Sequence, residues 1–337
     1  MARGRLSAIE AGRGVAATAV VLYHTARHVA QGRPAPWLTH VFQFGHAGVD
    51  FFFVISGFII LHVHRPDIGR PTRVRHYAAR RFTRVFPAYW VALVLTVLLG
   101  LGGHFHRMPS AGDFLTSVIL LPAHRAPLLG IAWTLQYEIF FYAVFSVLIL
   151  NRTAGIAALI AWLGWIGLGI AGVAGRLLPP SLSGTYNLEF FAGMLAAHVL
   201  ATHTLRAPLW WLGAGVAGFA GAAVAEDLGW LDGYADTARL AYGIPAALIV
   251  AGGAALERED AISVPGLLRA LGTASYSIYL FQFIFIGLVW QLLSAAGASG
   301  RMPAAASFAV LAVAGVAGGV AMSRWVEYPL MQRFRSL

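Results

Sequence analysis

The chain has no cysteine and no lysine, and charged residues fill only 11% of its 337 positions. Without thiols there can be no disulfide, no thiolate chemistry and no Cys-based metal site. So little charge, against roughly 25% in a soluble domain, excludes an ordinary globular protein, since 58% of the residues are hydrophobic. The net charge of +10 rests on 24 arginines, and their placement decides between a nucleic-acid footprint and a membrane-orientation signal. There is no fixed-period repeat. The first apolar stretch carries Arg13 and lacks the small-residue cleavage site of a secretory signal, so it is expected to remain in the protein.

What is present is a succession of apolar windows near residues 8–25, 41–61, 85–103, 131–150, 154–175, 185–201, 209–225, 238–256, 271–293 and 304–325. Each is near the length that crosses ~30 Å of hydrocarbon as a helix. The expectation is an all-α integral membrane protein of about ten transmembrane helices. Residues 62–84 hold Arg65, Arg70, Arg73, Arg75, Arg80, Arg81 and Arg84, and short arginine-rich loops stay cytoplasmic. Both termini then lie in the cytoplasm, with 17 arginines on that side and 7 on the other. The acidic 226–237 loop faces out. The basic excess thus reads as orientation, and no nucleic-acid partner is expected. A single membrane domain over 1–337, without an appended soluble domain, is the economical description.

Arg13 and His24 lie eleven residues apart in the first window, with no charge between them. Eleven residues are close to three helical turns, so both side chains share a face about 16 Å apart. Ionisable groups are costly in lipid and usually face a protein interior or a water-filled cavity. In the second window Asp50 poses the same demand within Gly48-Val49-Asp50-Phe51-Phe52-Phe53-Val54-Ile55-Ser56-Gly57-Phe58, and His24 or His46 is its expected partner. Ser56 and Gly57 read as helix-packing residues. Arg80, Arg81 and Arg84 enter the third window at helical spacing, clustering guanidinium groups that can hold phosphate; a CoA ester would fit. Glu138, in Trp133-Thr134-Leu135-Gln136-Tyr137-Glu138, and Glu189 are further carboxylates near membrane depth, suited to brace an Arg or His. The pairs His62/His64 and His104/His106 bring no further ligands at recognisable spacing, so no metal is expected. Trp210, Trp211 and Trp230 suit either sugar stacking or an interfacial belt.

Taken together, these residues resemble the membrane-bound acyltransferase-3 family of O-antigen, exopolysaccharide and macrolide O-acyltransferases. The resemblance runs from Arg13 to about Glu327. It rests on the Arg13/His24 pair, the Gly48-to-Phe58 segment, the Arg80-Arg81 run to Tyr89, and Trp133-Thr134-Leu135 with Glu138. Ser275-Tyr276-Ser277-Ile278-Tyr279-Leu280-Phe281-Gln282 and Trp325-Val326-Glu327-Tyr328-Pro329-Leu330 are also similar to family segments. Gln282 stands where the family commonly has His. An amide can hydrogen-bond but cannot exchange a proton near neutral pH, which leaves proton transfer to His24.

The resemblance implies a multi-pass enzyme of a bacterial-type plasma membrane. It would move an acyl group, usually acetyl, from cytosolic acyl-CoA (acetyl-CoA) to a hydroxyl of a carbohydrate or glycosylated small molecule, with membrane lipid as its surroundings. His24 is expected to be the catalytic base, or alternatively to form an acyl-histidine. Asp50 or Glu138 would orient it, while Arg13, Arg80, Arg81 and Arg84 would bind the CoA phosphates. The rival reading is a transporter or flippase of a lipid-linked or polar substrate, although the two halves lack the internal duplication common in such proteins.

Overall fold

The computed structural model describes residues 6–32, 35–100, 109–173 and 177–335. Among them the chain is helical throughout: α1 (Ser7–Gly32), α2 (Pro36–Val41), α3 (Gly48–His64), α4 (Val74–Leu99), α5 (Ala111–Val118), α6 (Trp133–Leu150) and α7 (Arg152–Ile170). There follow α8 (Pro180–Ser183), α9 (Asn187–Thr202), α10 (Pro208–Asp227), α11 (Asp236–Arg258), α12 (Gly266–Ala295), α13 (Ala304–Met322) and α14 (Tyr328–Arg335). The protein is an all-α membrane protein, and 8 of its described helical segments are long and apolar enough to cross a bilayer. The first and sixth of the ten apolar windows are also helices, α1 and α9. The polar face of α1 and the 16-residue length of α9 set them apart from those eight.

Burial sorts the helices into a centre and a rim. The segment containing α3 is 72% buried over its apolar window, whereas that of α10 is 6% buried. The rim helices therefore present Leu, Val and Ile outward, as lipid contact requires. The central helices approach closely because small residues meet there. A Cβ on Gly14 of α1 would lie 2.7 Å from the backbone nitrogen of Gly272 on α12. On α9, a Cβ at Gly193 would overlap the carbonyl oxygen of Val54 in α3. Such contacts supply the van der Waals packing that replaces hydrophobic burial in lipid.

The interhelical bonds group the helix termini into two ends. At one end Glu257, in the last turn of α11, accepts hydrogen bonds from the Ser7 (2.6 Å) and Ala8 (3.0 Å) amides of α1, a carboxylate on a helix N-terminus. Gly69 in the arginine-rich segment donates to Leu148 of α6 at 3.1 Å, and α14 packs on α4. At the other end the 3₁₀ turn Gln43–Ala47 meets α10, and Thr185 donates to Asp236 at 2.7 Å. The 20-residue α10 spans between them. Trp210 and Trp211 consequently sit at the arginine-rich end, not beside Trp230, because about 30 Å of helix separates its termini.

We expect Gly193→Leu to lower folded, monodisperse yield and to destabilise the protein by about 1–3 kcal/mol or more through overpacking. Thermal unfolding in detergent would test this; an unchanged Tm would mean that α3 and α9 can separate at no cost.

Candidate active site

A cavity of ≈ 100 Å³ opens among α1, α3, α4, α6 and α12, lined by Arg13, Ser56, Arg81, Arg84, Glu138 and Ser275, with Tyr279. It brings together residues that the sequence places in the first, second, fourth and ninth apolar windows and in the arginine-rich segment 62–84. Ser56 donates to Glu138 at 3.2 Å, and Tyr142 donates to the same carboxylate. Arg84 pairs with Glu327, which also accepts from Ser277 at 2.6 Å. A single π-helical turn, Ser323–Glu327, carries Glu327 into the protein; such turns recur at functional sites. The Arg81 guanidinium lies 5.6 Å over the Tyr142 ring. Arg80 is exposed and outside the lining, since a neighbour one position along a helix points about 100° away.

Three buried polar atoms at this cavity, Arg13 Nε, Arg81 Nε and Ser275 Oγ, have no hydrogen-bond partner among the described residues. Unpaired polar groups in an apolar interior are costly, and a polar ligand in the cavity would satisfy these atoms. Exposed arginines 65, 70, 73, 75 and 80 border this end.

His24 lies elsewhere. Its ring packs against Phe283 of α12, with centroids 4.6 Å apart, and edge-on to Tyr23 at 4.9 Å. Tyr279, which lines the cavity, precedes Phe283 by four residues, about 6 Å along α12. Gln282 sits between them, fully buried; its Nε2 donates to the Tyr279 carbonyl at 2.9 Å, and its Oε1 has no donor among the described residues.

The carboxylates are distributed differently from the sequence expectation. Asp50 forms no bond to His24 or His46. Arg239, at 1% exposure, pairs with Asp50 at 0% exposure. The reason is electrostatic: a fully desolvated carboxylate requires a permanent cation, which guanidinium is and imidazole is not. Arg239 also donates to the Gly233 carbonyl and lies 4.1 Å over the Tyr186 ring. Glu189 lies beside this pair, so two carboxyl groups surround one guanidinium. Glu138 is likewise remote from His24, engaged by Ser56 and Tyr142 in the cavity.

His46 has its own carboxylate. Its Nε2 lies 2.8 and 3.0 Å from the oxygens of Glu226, which also accepts from Tyr242 (2.6 Å) and Gln43 (3.2 Å). By sequence Glu226 belongs to the acidic 226–237 loop, and Arg239 is not among the expected site residues. The available signal for Arg239 was a lone arginine inside an apolar window. His64 is bonded to Asp67 at 2.9 Å and His62 stacks on Phe58, so this pair does not converge. His104 and His106 lie outside the described residues. Among those described, no three potential ligands gather as a metal site.

Residues 6–324 match the family described as "Acyltransferase domain". The chain belongs to the acyltransferase-3 family. It is 33% identical over 315 residues, 88% of its length and 93% of the relative's, to the exopolysaccharide production protein ExoZ of Rhizobium meliloti (strain 1021). A shorter stretch of 104 residues is 29% identical to the peptidoglycan O-acetyltransferase OatA of Listeria monocytogenes serovar 1/2a (strain ATCC BAA-679 / EGD-e), covering 30% of this chain and 15% of that protein. No solved structure matches the chain. As an acyltransferase-3 protein, it is a membrane O-acyltransferase, and the transporter reading falls away.

Breaking the buried pair should be expensive. Arg239→Met is expected to cost about 3–5 kcal/mol by stranding a buried carboxylate, and Arg239→Met with Asp50→Leu should recover part of that loss. Unfolding in detergent measures both; a single variant as stable as wild type would mean water reaches the pair.

Proposed function

We propose that the protein moves an acyl group, acetyl in the first instance, from cytosolic acyl-CoA to a hydroxyl of a cell-envelope polysaccharide or related glycan. The observation that carries this reading is the convergence of Arg13, Arg81, Arg84 and Glu138 on one cavity at the arginine-rich end. Basic residues around a partly buried opening concentrate polyanions, and guanidinium groups suit phosphate oxygens. Arg13 and Arg81 would grip the donor, with Arg80 and its exposed neighbours guiding its approach. Glu138 offsets the positive charge of Arg13 and Arg84, so the cavity is not purely cationic. The relatives' names, an exopolysaccharide production protein and a peptidoglycan O-acetyltransferase, support a glycan acceptor. The arginine-rich end would face the cytoplasm, and a bacterial inner membrane would be the setting.

His24 is the base in this scheme. The acceptor hydroxyl gives its proton to the neutral imidazole as its oxygen bonds to the thioester carbonyl carbon. The carbon–sulfur bond breaks, and the imidazolium returns the proton to the leaving CoA sulfur. Tyr279 and Phe283, one turn apart, link the cavity's wall to His24, so a pantetheine arm threaded past Tyr279 would bring the thioester toward the imidazole. Asp50, bound to Arg239, serves by tying α3, which lines the cavity, to α11.

With acetyl-CoA and envelope glycan, His24→Ala should lower transfer by ~10²–10⁴-fold in folded protein. Arg81→Gln should weaken acetyl-CoA binding about tenfold or more, and Arg80→Gln much less. Isothermal titration and mass spectrometry of the glycan read these out. Wild-type transfer by His24→Ala would overturn the assigned base, and unchanged donor affinity in Arg81→Gln would overturn the assigned donor site.

A further inference from the structure

At the end remote from the arginine-rich segment, Tyr234 is 55% exposed yet held from several sides. Its hydroxyl is hydrogen-bonded to that of Tyr23. Its ring stacks on His46, with centroids 4.8 Å apart and planes 24° from parallel. Its backbone N–H donates to Asp232 at 2.9 Å. His46 is itself fixed by Glu226, and Glu226 by Tyr242 and Gln43. Beneath the turn, Arg239 grips the Gly233 carbonyl. The Tyr234 phenol, outside the membrane helices, is raised above its ordinary value by partial burial and then by the Tyr23 bond, and so stays neutral.

This is an unusual amount of support for an exposed ring. A surface tyrosine that only meets lipid headgroups needs no stacked histidine under it and no hydroxyl partner, and an aromatic ring fixed in advance binds with less loss of side-chain entropy. Trp230 makes the comparison. It is 80% exposed and suits an interfacial anchor. The supported ring is linked to the proposed base through Tyr23, which bonds Tyr234 and whose ring lies edge-on to His24. Arg27, whose guanidinium lies 5.4 Å over the Tyr23 ring, is in electrostatic range of both His24 and Tyr234. Asp227, half exposed and 3.1 Å from His40, adds a hydrogen-bond acceptor to the same end.

We infer that Tyr234 is the stacking platform of an acceptor subsite, on which the apolar face of a hexopyranose ring lies while Arg27 and Asp227 bond its hydroxyls. The inference rests on the acyltransferase reading and names where its acceptor binds. A pyranose has one face of C–H groups, which an aromatic ring covers, and equatorial hydroxyls, which charged side chains bond. Stacking at this position presents a ring hydroxyl toward His24 from the side opposite the donor cavity. Donor and acceptor then reach the imidazole from different ends, and neither blocks the other.

The test uses the full chain in detergent, titrated with cellotetraose and maltotetraose as probes and with sorbitol as an open-chain control. At least one tetrasaccharide should bind and sorbitol should not. Tyr234→Ala should weaken that binding about tenfold, on the scale of one aromatic stacking contact, and Tyr234→Phe, which keeps the ring, by no more than about threefold. Trp230→Ala should bind as wild type does. No binding of either tetrasaccharide, equal affinity in Tyr234→Ala, or a loss confined to Trp230→Ala would each overturn the inference. Acetyl-CoA titrated into the same samples separates the two levels: if wild type fails to bind it, the acyl-CoA reading fails, whereas intact donor binding with indifferent sugar binding sinks the platform alone. Retention of donor affinity by Tyr234→Ala also establishes that this variant is folded.

Discussion

Arg239 against Asp50 is the interaction on which much of this structure turns. The pair ties α11 to α3 where both side chains are buried, and neither charge can be left alone there. The same guanidinium reaches the Gly233 carbonyl and covers the Tyr186 ring, so it joins the turn before α11 to the segment before α9. That turn carries Tyr234. One buried cation thus sets the spacing of three central helices and the position of an exposed ring at the molecule's remote end.

A second ion pair organises the opposite end. Arg84 with Glu327 connects α4 to the π-helical turn after α13, and Ser277 brings α12 into the same cluster. Between these two electrostatic centres runs α1, with Arg13 at the cavity and His24 near the far cluster. Small residues let α1 lie directly on α12, which is why Tyr279 and Phe283 can mark the route from one to the other. The separation that makes Arg13 and His24 informative is therefore preserved by packing, not only by helical periodicity.

Similarity to ExoZ extends over most of both chains rather than over one local motif. The described geometry gives that a physical sense. The cavity draws residues from α1, α3, α4, α6 and α12, and the remote cluster draws from α1, the 43–47 turn, α10 and α11. Each is assembled from helices far apart in the sequence, and no single helix pair contains either one.

Much of this was legible in the residues themselves. Scarce charge and long apolar windows dictate a helical membrane protein, because lipid leaves the backbone few other ways to satisfy its hydrogen bonds. Spacing alone put Arg13 and His24 on one face. The need of Asp50 for a partner was equally plain, yet the sequence offered histidines nearby and the fold supplied an arginine 189 residues away. Glu226, an acid at a loop edge by sequence, became the anchor of His46 only once α10 was packed against the 43–47 turn. Local pattern determines which groups must be partnered, since burial follows from hydropathy. Which groups partner them is decided by tertiary packing, because a charge in lipid pairs with whatever the folded bundle brings within reach, irrespective of distance along the chain.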